Sequence, residues 1–136
     1  MPIQSTPDHE LRIVRTVCSG QVTLEDVRHY QTTVWLDPAI YGYNELYDFS
    51  DSDYSSVQFG DLITIAQHAA KLYMLDPNAR FAFLTHTEQH EKAAEFYMVA
   101  KSFSSGASRT IKSFSSHEKA MAWLIEENLE PVKKSK

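Results

Sequence analysis

The densest run of ligand-type side chains is Asp48-Phe49-Ser50-Asp51-Ser52-Asp53, three carboxylates and two hydroxyls within six residues. Oxygen donors of this kind hold Mg²⁺ or Ca²⁺. The run lacks the glycine and the distal glutamate of a helix–loop–helix calcium loop. Asp51-Ser52-Asp53 also has the D-x-D spacing of an aspartyl-phosphate nucleophile loop, but no later strand end supplies the second acidic pair that such chemistry needs. A solvated acidic loop is the plainer reading. His86 and His90 stand four apart, a spacing that on a helix puts both on one face and lets them share a metal with a third ligand. The order His86-Thr87-Glu88-Gln89-His90 is not the H-E-x-x-H of zinc proteases, and His86 reads better as a polar residue at a strand end. Cys18 is the only cysteine. It follows an apolar strand, so it reads as a structural thiol and not as a nucleophile. These residues assemble no catalytic set, and neither a metal nor a cofactor is assigned.

The elements that must position them alternate between two hydrophobic periods. His9 to Ser19 reads as a strand, with Leu11, Ile13, Val14 and Val17. After Gly20, Thr23 and Asp26 form a capping box, with Val22 and Val27 as its hydrophobic staple. A helix is predicted from Leu24 to Leu36, stopped by Asp37-Pro38. Asn44 to Phe49 is a second, short strand. Ser55 and Gln58 suggest the start of a helix over Val57 to Met74, with Phe59, Leu62, Ile63, Ala66, Ala69, Ala70 and Tyr73 on one side. Asp76-Pro77-Asn78 is a turn. Arg80 to Thr85 is nearly continuous in apolar residues, which suggests burial on both faces. Thr87 caps a third helix carrying Ala93, Phe96, Tyr97, Ala100 and Phe103 inward, ended by Ser104-Ser105-Gly106. Arg109 to Phe114 is more polar and suits an edge. Ser115 and Glu118 open a last helix packed through Ala120, Met121, Trp123 and Leu124. The order β-α-β-α-β-α-β-α predicts an α/β fold, a four-stranded, mostly parallel sheet covered by helices.

In such a sheet ligands gather at the carboxyl ends of the strands, where helix N-termini also point. That rim collects Asp48, Ser50, Asp51, Ser52, Ser55, Ser56 and His86 as candidate binding or regulatory residues. Capping alone explains much of the serine and threonine there. Tyr41, Tyr43, Tyr47, Tyr54, Phe59 and Tyr73 flank the acidic run and could line an apolar cleft, although such residues more often pack a core.

Composition bounds the partners. The chain has 136 residues, 43% of them hydrophobic, and a formal net charge of −5. Residues 1–61 hold ten acidic and three basic side chains, against eight and ten in residues 62–136. An acidic half with no basic stripe disfavours nucleic acid. No apolar run reaches the roughly 20 residues of a membrane span, and no signal-peptide pattern is present. With one cysteine, a cytoplasmic location is expected. Residues 9–128 are expected to form one domain, with 1–8 and 129–136 as flexible tails.

The layout resembles the SpoIIAA-like fold of STAS domains and anti-sigma-factor antagonists, over about residues 9–127. Gly20-Gln21-Val22-Thr23-Leu24-Glu25-Asp26 is similar to the G-x-V-T-x-E-[DE] helix start of a subgroup of small bacterial SpoIIAA-like proteins. Tyr47-Asp48-Phe49-Ser50 is similar to its D-[FL]-S strand end, and Phe114 to Leu124 to its F-x-x-x-x-x-A-x-x-W-L ending. The antagonists' phosphorylated D-S-[ST]-G-[LI] motif is replaced here by Tyr54-Ser55-Ser56-Val57-Gln58-Phe59-Gly60, without the aspartate and the glycine. The resemblance implies a fold and a tendency to bind partners, not an enzyme. The first expectation is a non-enzymatic regulatory or protein-interaction module using the surface from Ser50 to Gly60. A small-molecule or lipid-binding protein ranks second. A metal-assisted hydrolase using Asp48, Asp51, Asp53 and His86 ranks third. Self-association is compatible with each.

Overall fold

The computed structural model describes residues 2–71, 78–102 and 110–126. Its sheet has five strands, β1 (Ile3–Asp8), β2 (Ile13–Gln21), β3 (Asn44–Asp53), β4 (Arg80–Leu84) and β5 (Thr110–Phe114), lying side by side in chain order. The β2, β3, β4 and β5 neighbours pair in parallel, whereas β1 pairs antiparallel with β2. The helices are α1 (Leu24–Thr33), α2 (Phe59–Ala70), α3 (Glu88–Lys101) and α4 (His117–Ile125).

Each parallel crossover steps one strand in the same direction. A right-handed connection therefore puts α1, α2 and α3 on the same face. That face holds Val27 and Tyr30 of α1, Leu62, Ile65, Ala66 and Ala69 of α2, and Ala94 and Ala100 of α3, against Tyr47, Phe49, Phe81 and Phe83 of the sheet. The helix after β5 has no further strand to reach. It folds over the opposite face, where Ala120 and Leu124 pack on Ile13, Leu46, Ala82 and Leu84. Burial of β4 on both faces follows from its place between the two layers, and its residues alternate between the two cores.

The expected flexible tail over residues 1–8 is instead an edge strand, so the sheet has five strands and not four. Two features hide it in sequence. Of its side chains only Ile3 is buried and apolar, and Pro2 and Pro7 suggest irregular chain. Proline is tolerated on a sheet edge because no outer neighbour needs its N–H. Asp8 closes the hairpin by accepting from the backbone N–H groups of Glu10 and Leu11, each at 3.0 Å. Residues 129–136, Tyr73, Met74, Phe103, the Asp76-Pro77 part of the predicted turn and Ser104-Ser105-Gly106 lie outside the described residues.

Gln31 lashes α1 to α2. Its amide donates to the Ile65 carbonyl at 3.2 Å, and its oxygen accepts from His68 Nδ1 at 2.7 Å. Partial burial, and then the charges of Arg28 and Lys71, hold His68 below its ordinary pKa of 6.5. Folding thus disfavours the imidazolium. The stability this residue supports is complete above about pH 6.5 and falls as pH drops through the lower folded value. An NMR titration of the His68 ring checks this, and a midpoint at or above the ordinary value would contradict it.

Candidate functional site

The parallel strands end on one rim, and the sequence turns sharply there for local reasons. Between β2 and β3 the pairing passes from Val17 with Asp48 to Ser19 with Asp51, so β3 carries one extra residue. Ser50 takes φ 48° within this bulge, and its N–H donates to Asp48 Oδ1 at 2.9 Å. The short strand expected over Asn44–Phe49 therefore runs on through the acidic residues to Asp53.

His86 Nε2 lies 2.6 Å from Asp48 Oδ1, a half-exposed pair at the end of β4. His90 is buried. Its Nδ1 accepts from the His86 backbone N–H at 3.2 Å, and its Nε2 donates to the Ser52 carbonyl at 2.8 Å. Thr87 separates the two histidines as the cap of α3, so His86 is outside the helix and the shared-face geometry does not form. With both His90 nitrogens committed to backbone groups, the histidine pair cannot chelate as it stands. Among the described residues no group of three or more His, Cys, Asp or Glu side chains is placed to hold a metal ion.

The other rim residues divide by task. Asp51 is exposed, whereas Ser52 is buried and its Oγ has no hydrogen-bond partner. Asp53 accepts from the Ser55 N–H at 2.8 Å, which with the Ser55 and Gln89 side chains holds its carboxyl below the usual range. Ser56 Oγ donates to the Val22 carbonyl at 3.1 Å, and the Tyr54 N–H donates to Gln89 Oε1 at 3.0 Å. These bonds strap the segment from Asp53 to Gln58 onto β2 and α3. The cap expected at Ser55 lies three residues on, at Gln58, whose N–H donates to Asp61 Oδ2 at 2.9 Å as α2 opens.

Beside this strap, between α2 and α3, lies an open groove of about 370 Å³. Tyr54, Val57, Leu62, Ala93 and Phe96 supply apolar walls, and Ser55, Glu88, Gln89 and Lys92 supply polar ones. Helical spacing predicts Phe96 inward. It is instead exposed, while His90, Ala94 and Ala100 form the buried stripe of α3. Of the described aromatics flanking the acidic run, Tyr43, Tyr47 and Tyr54 are buried, Tyr41 and Phe59 are exposed, and Tyr54 alone among them lines the groove. Its hydroxyl points away, 3.3 Å from Cys18 Sγ and 2.5 Å from the Tyr47 hydroxyl.

Burial pushes the Cys18 thiol up to about 11. The folded protein is therefore expected to resist thiol reagents at about pH 8 and to react once unfolded, since the thiolate is the reactive form. Labelling followed by mass spectrometry, with and without denaturant, checks this. Rapid labelling of the native chain would contradict it.

Sequence reasoning missed one polar cluster. Glu45 on β3 is buried and accepts from Tyr30 of α1, from Thr16 Oγ1 of β2 at 2.7 Å, and from Trp35 Nε1 at 3.0 Å. Ser5 of β1 joins through Thr16 at 2.8 Å. The available signal was a carboxylate inside the strand Asn44-Glu45-Leu46-Tyr47, where an alternating pattern needs an inward residue.

The order of strands and helices defines an α/β chain of the SpoIIAA-like fold. Among solved structures it is similar to an uncharacterized protein of the DUF3478 family with a SpoIIAA-like fold from Shewanella loihica PV-4. The TM-score is 0.51 and the identity 23%, over 90% of this chain and 91% of that one. No family model matches the chain. No curated protein matches it. Among the described residues no helix is long and apolar enough to cross a membrane.

Proposed function

We propose that the chain is a non-enzymatic regulatory or protein-interaction module whose contact surface is the segment from Ser50 to Gly60 with the groove beside it. The observation that carries this reading is the groove itself, an open apolar trough flanked by a strap tied to both β2 and α3. A preorganised concave surface binds without first having to order its own loop. The rim carboxylates Asp48 and Asp53 accept local backbone N–H groups, which suits a fixed scaffold. Quantitative capture with the full chain as bait tests it. A partner held by the wild type and lost on Ser55→Arg, which adds bulk and charge at an exposed groove position, supports the reading. A chain that retains no partner, or one indifferent to Ser55→Arg, refutes it.

The groove's chemistry also favours a second reading, an amphipathic small ligand with its apolar body against Leu62, Ala93 and Phe96 and its polar end near Ser55, Gln89 and Lys92. Its volume lies within the range of small-molecule pockets. Titration with dodecanoate, followed by thermal stability, decides this. A rise in melting temperature that Ser55→Arg abolishes supports it, and no rise removes it.

A further inference from the structure

Phe59, Phe96 and Val99 are large apolar side chains left 39%, 46% and 50% exposed. They form one surface. The Phe59 and Phe96 rings meet edge-on with centroids 5.8 Å apart, and Val99 follows Phe96 by three residues on α3, hence on the same helix face. Since α3 already buries His90, Ala94 and Ala100 against the sheet, Phe96 and Val99 make a second apolar stripe turned away from the core. Contiguous exposed apolar surface of this kind marks a contact.

The charges along the same stripe say what covers it. Glu88, Lys92 and Glu95 succeed one another at helical spacing beside Phe96 and Val99. Among the described residues none of the three takes part in an ion pair. We infer that two copies of this chain meet here, α3 against α3 across a two-fold axis. A two-fold axis reverses one helix on the other, so opposite charges that adjoin on one face can pair across it. An axis passing between Lys92 and Glu95 sets Lys92 against Glu95 of the partner subunit, twice by symmetry, with the Phe96 rings beside it. An acidic chain of net charge −5 needs such local compensation to approach its own copy.

This deepens the protein-interaction reading by naming a partner for the α3 side of the groove, and it rests on that reading. Sedimentation velocity of the full chain over about a hundred-fold concentration range tests it. The wild type is expected to sediment as a dimer. Phe96→Glu is expected to give a folded monomer with an unchanged circular dichroism spectrum. Lys92→Glu should weaken the dimer by about ten-fold or more, and Lys92→Glu with Glu95→Lys should recover most of that loss. A monomeric wild type at every concentration, or a dimer indifferent to Phe96→Glu, overturns the inference. Ser55→Arg lies outside the α3 stripe. A monomeric wild type that still captures a partner sensitive to Ser55→Arg therefore sinks self-association and leaves the broader reading standing.

Discussion

Glu45→Ala is expected to cost roughly 4 kcal/mol of folding stability, while Glu45→Gln costs about 1–2 kcal/mol. The carboxylate receives donors from three segments that have no other reason to converge: Thr16 of β2, Tyr30 of α1, and Trp35 beyond the end of α1. Removing it strands their O–H and N–H groups in a buried site. Each such loss costs about 1–3 kcal/mol, and a small cavity adds to it. Glutamine keeps the volume and one acceptor, and the Thr16 hydroxyl can rotate to receive the new amide. Because Trp35 Nε1 also donates to the Tyr30 hydroxyl at 2.9 Å, the effects at Tyr30 and Glu45 should not add. A double-mutant cycle with Tyr30→Phe should show coupling of about 1 kcal/mol or more. Urea unfolding of the four proteins provides the numbers. Equal midpoints for the alanine and glutamine variants would show that hydrogen bonding at Glu45 does not set its contribution.

The same cluster shows what the residue pattern could and could not convey. Thr23 and Asp26 stand within one four-residue stretch, and the capping box they predict is present with both of its bonds. Val22 and Val27 are buried as the staple requires. The run Phe81–Leu84 announces burial on both faces because every position is apolar, and β5 announces an edge through its polar residues. Local signals fail where a neighbour decides. The last helix is capped by Ser116 and not Ser115, since either hydroxyl suits the position. β1 forms because β2 offers an unpaired edge, a fact absent from residues 1–8 themselves. The acidic run reads as loop because three aspartates and two serines disfavour strands. It is a strand nonetheless, since pairing of Ser19, Gly20 and Gln21 with Asp51, Ser52 and Asp53 satisfies its backbone. The rim was legible as a neighbourhood: Asp48 does meet His86. Its groove was not, because that depends on Phe96 facing outward. Helical periodicity places Phe96 next to the buried stripe without saying how wide that stripe is.

Phe49→Ala is expected to cost about 4 kcal/mol, and to loosen the rim before it unfolds the sheet. Phe49 is 2% exposed. Its ring lies 5.5 Å from Tyr47, 5.0 Å from Tyr54, 5.4 Å from Phe83 and 4.9 Å from His90, centroid to centroid. Two of these neighbours belong to the middle of the sheet, which β2 and β4 hold in register. The other two belong to the rim: Tyr54 walls the groove, and His90 ties α3 to the Ser52 carbonyl. Phe49 also shares the bulge with Ser50, the two standing opposite the single residue Cys18, so the chain here depends on side-chain packing more than the regular strand does. Truncation should therefore lower the global urea midpoint and, separately, shorten the exchange lifetime of the Tyr54 amide bonded to Gln89. Phe49→Leu, which keeps most of the volume, should lose no more than about 1.5 kcal/mol. If Phe49→Ala lowers the midpoint while the Tyr54 amide keeps its protection relative to amides of β4, the ring stabilises the sheet alone and the groove does not depend on it.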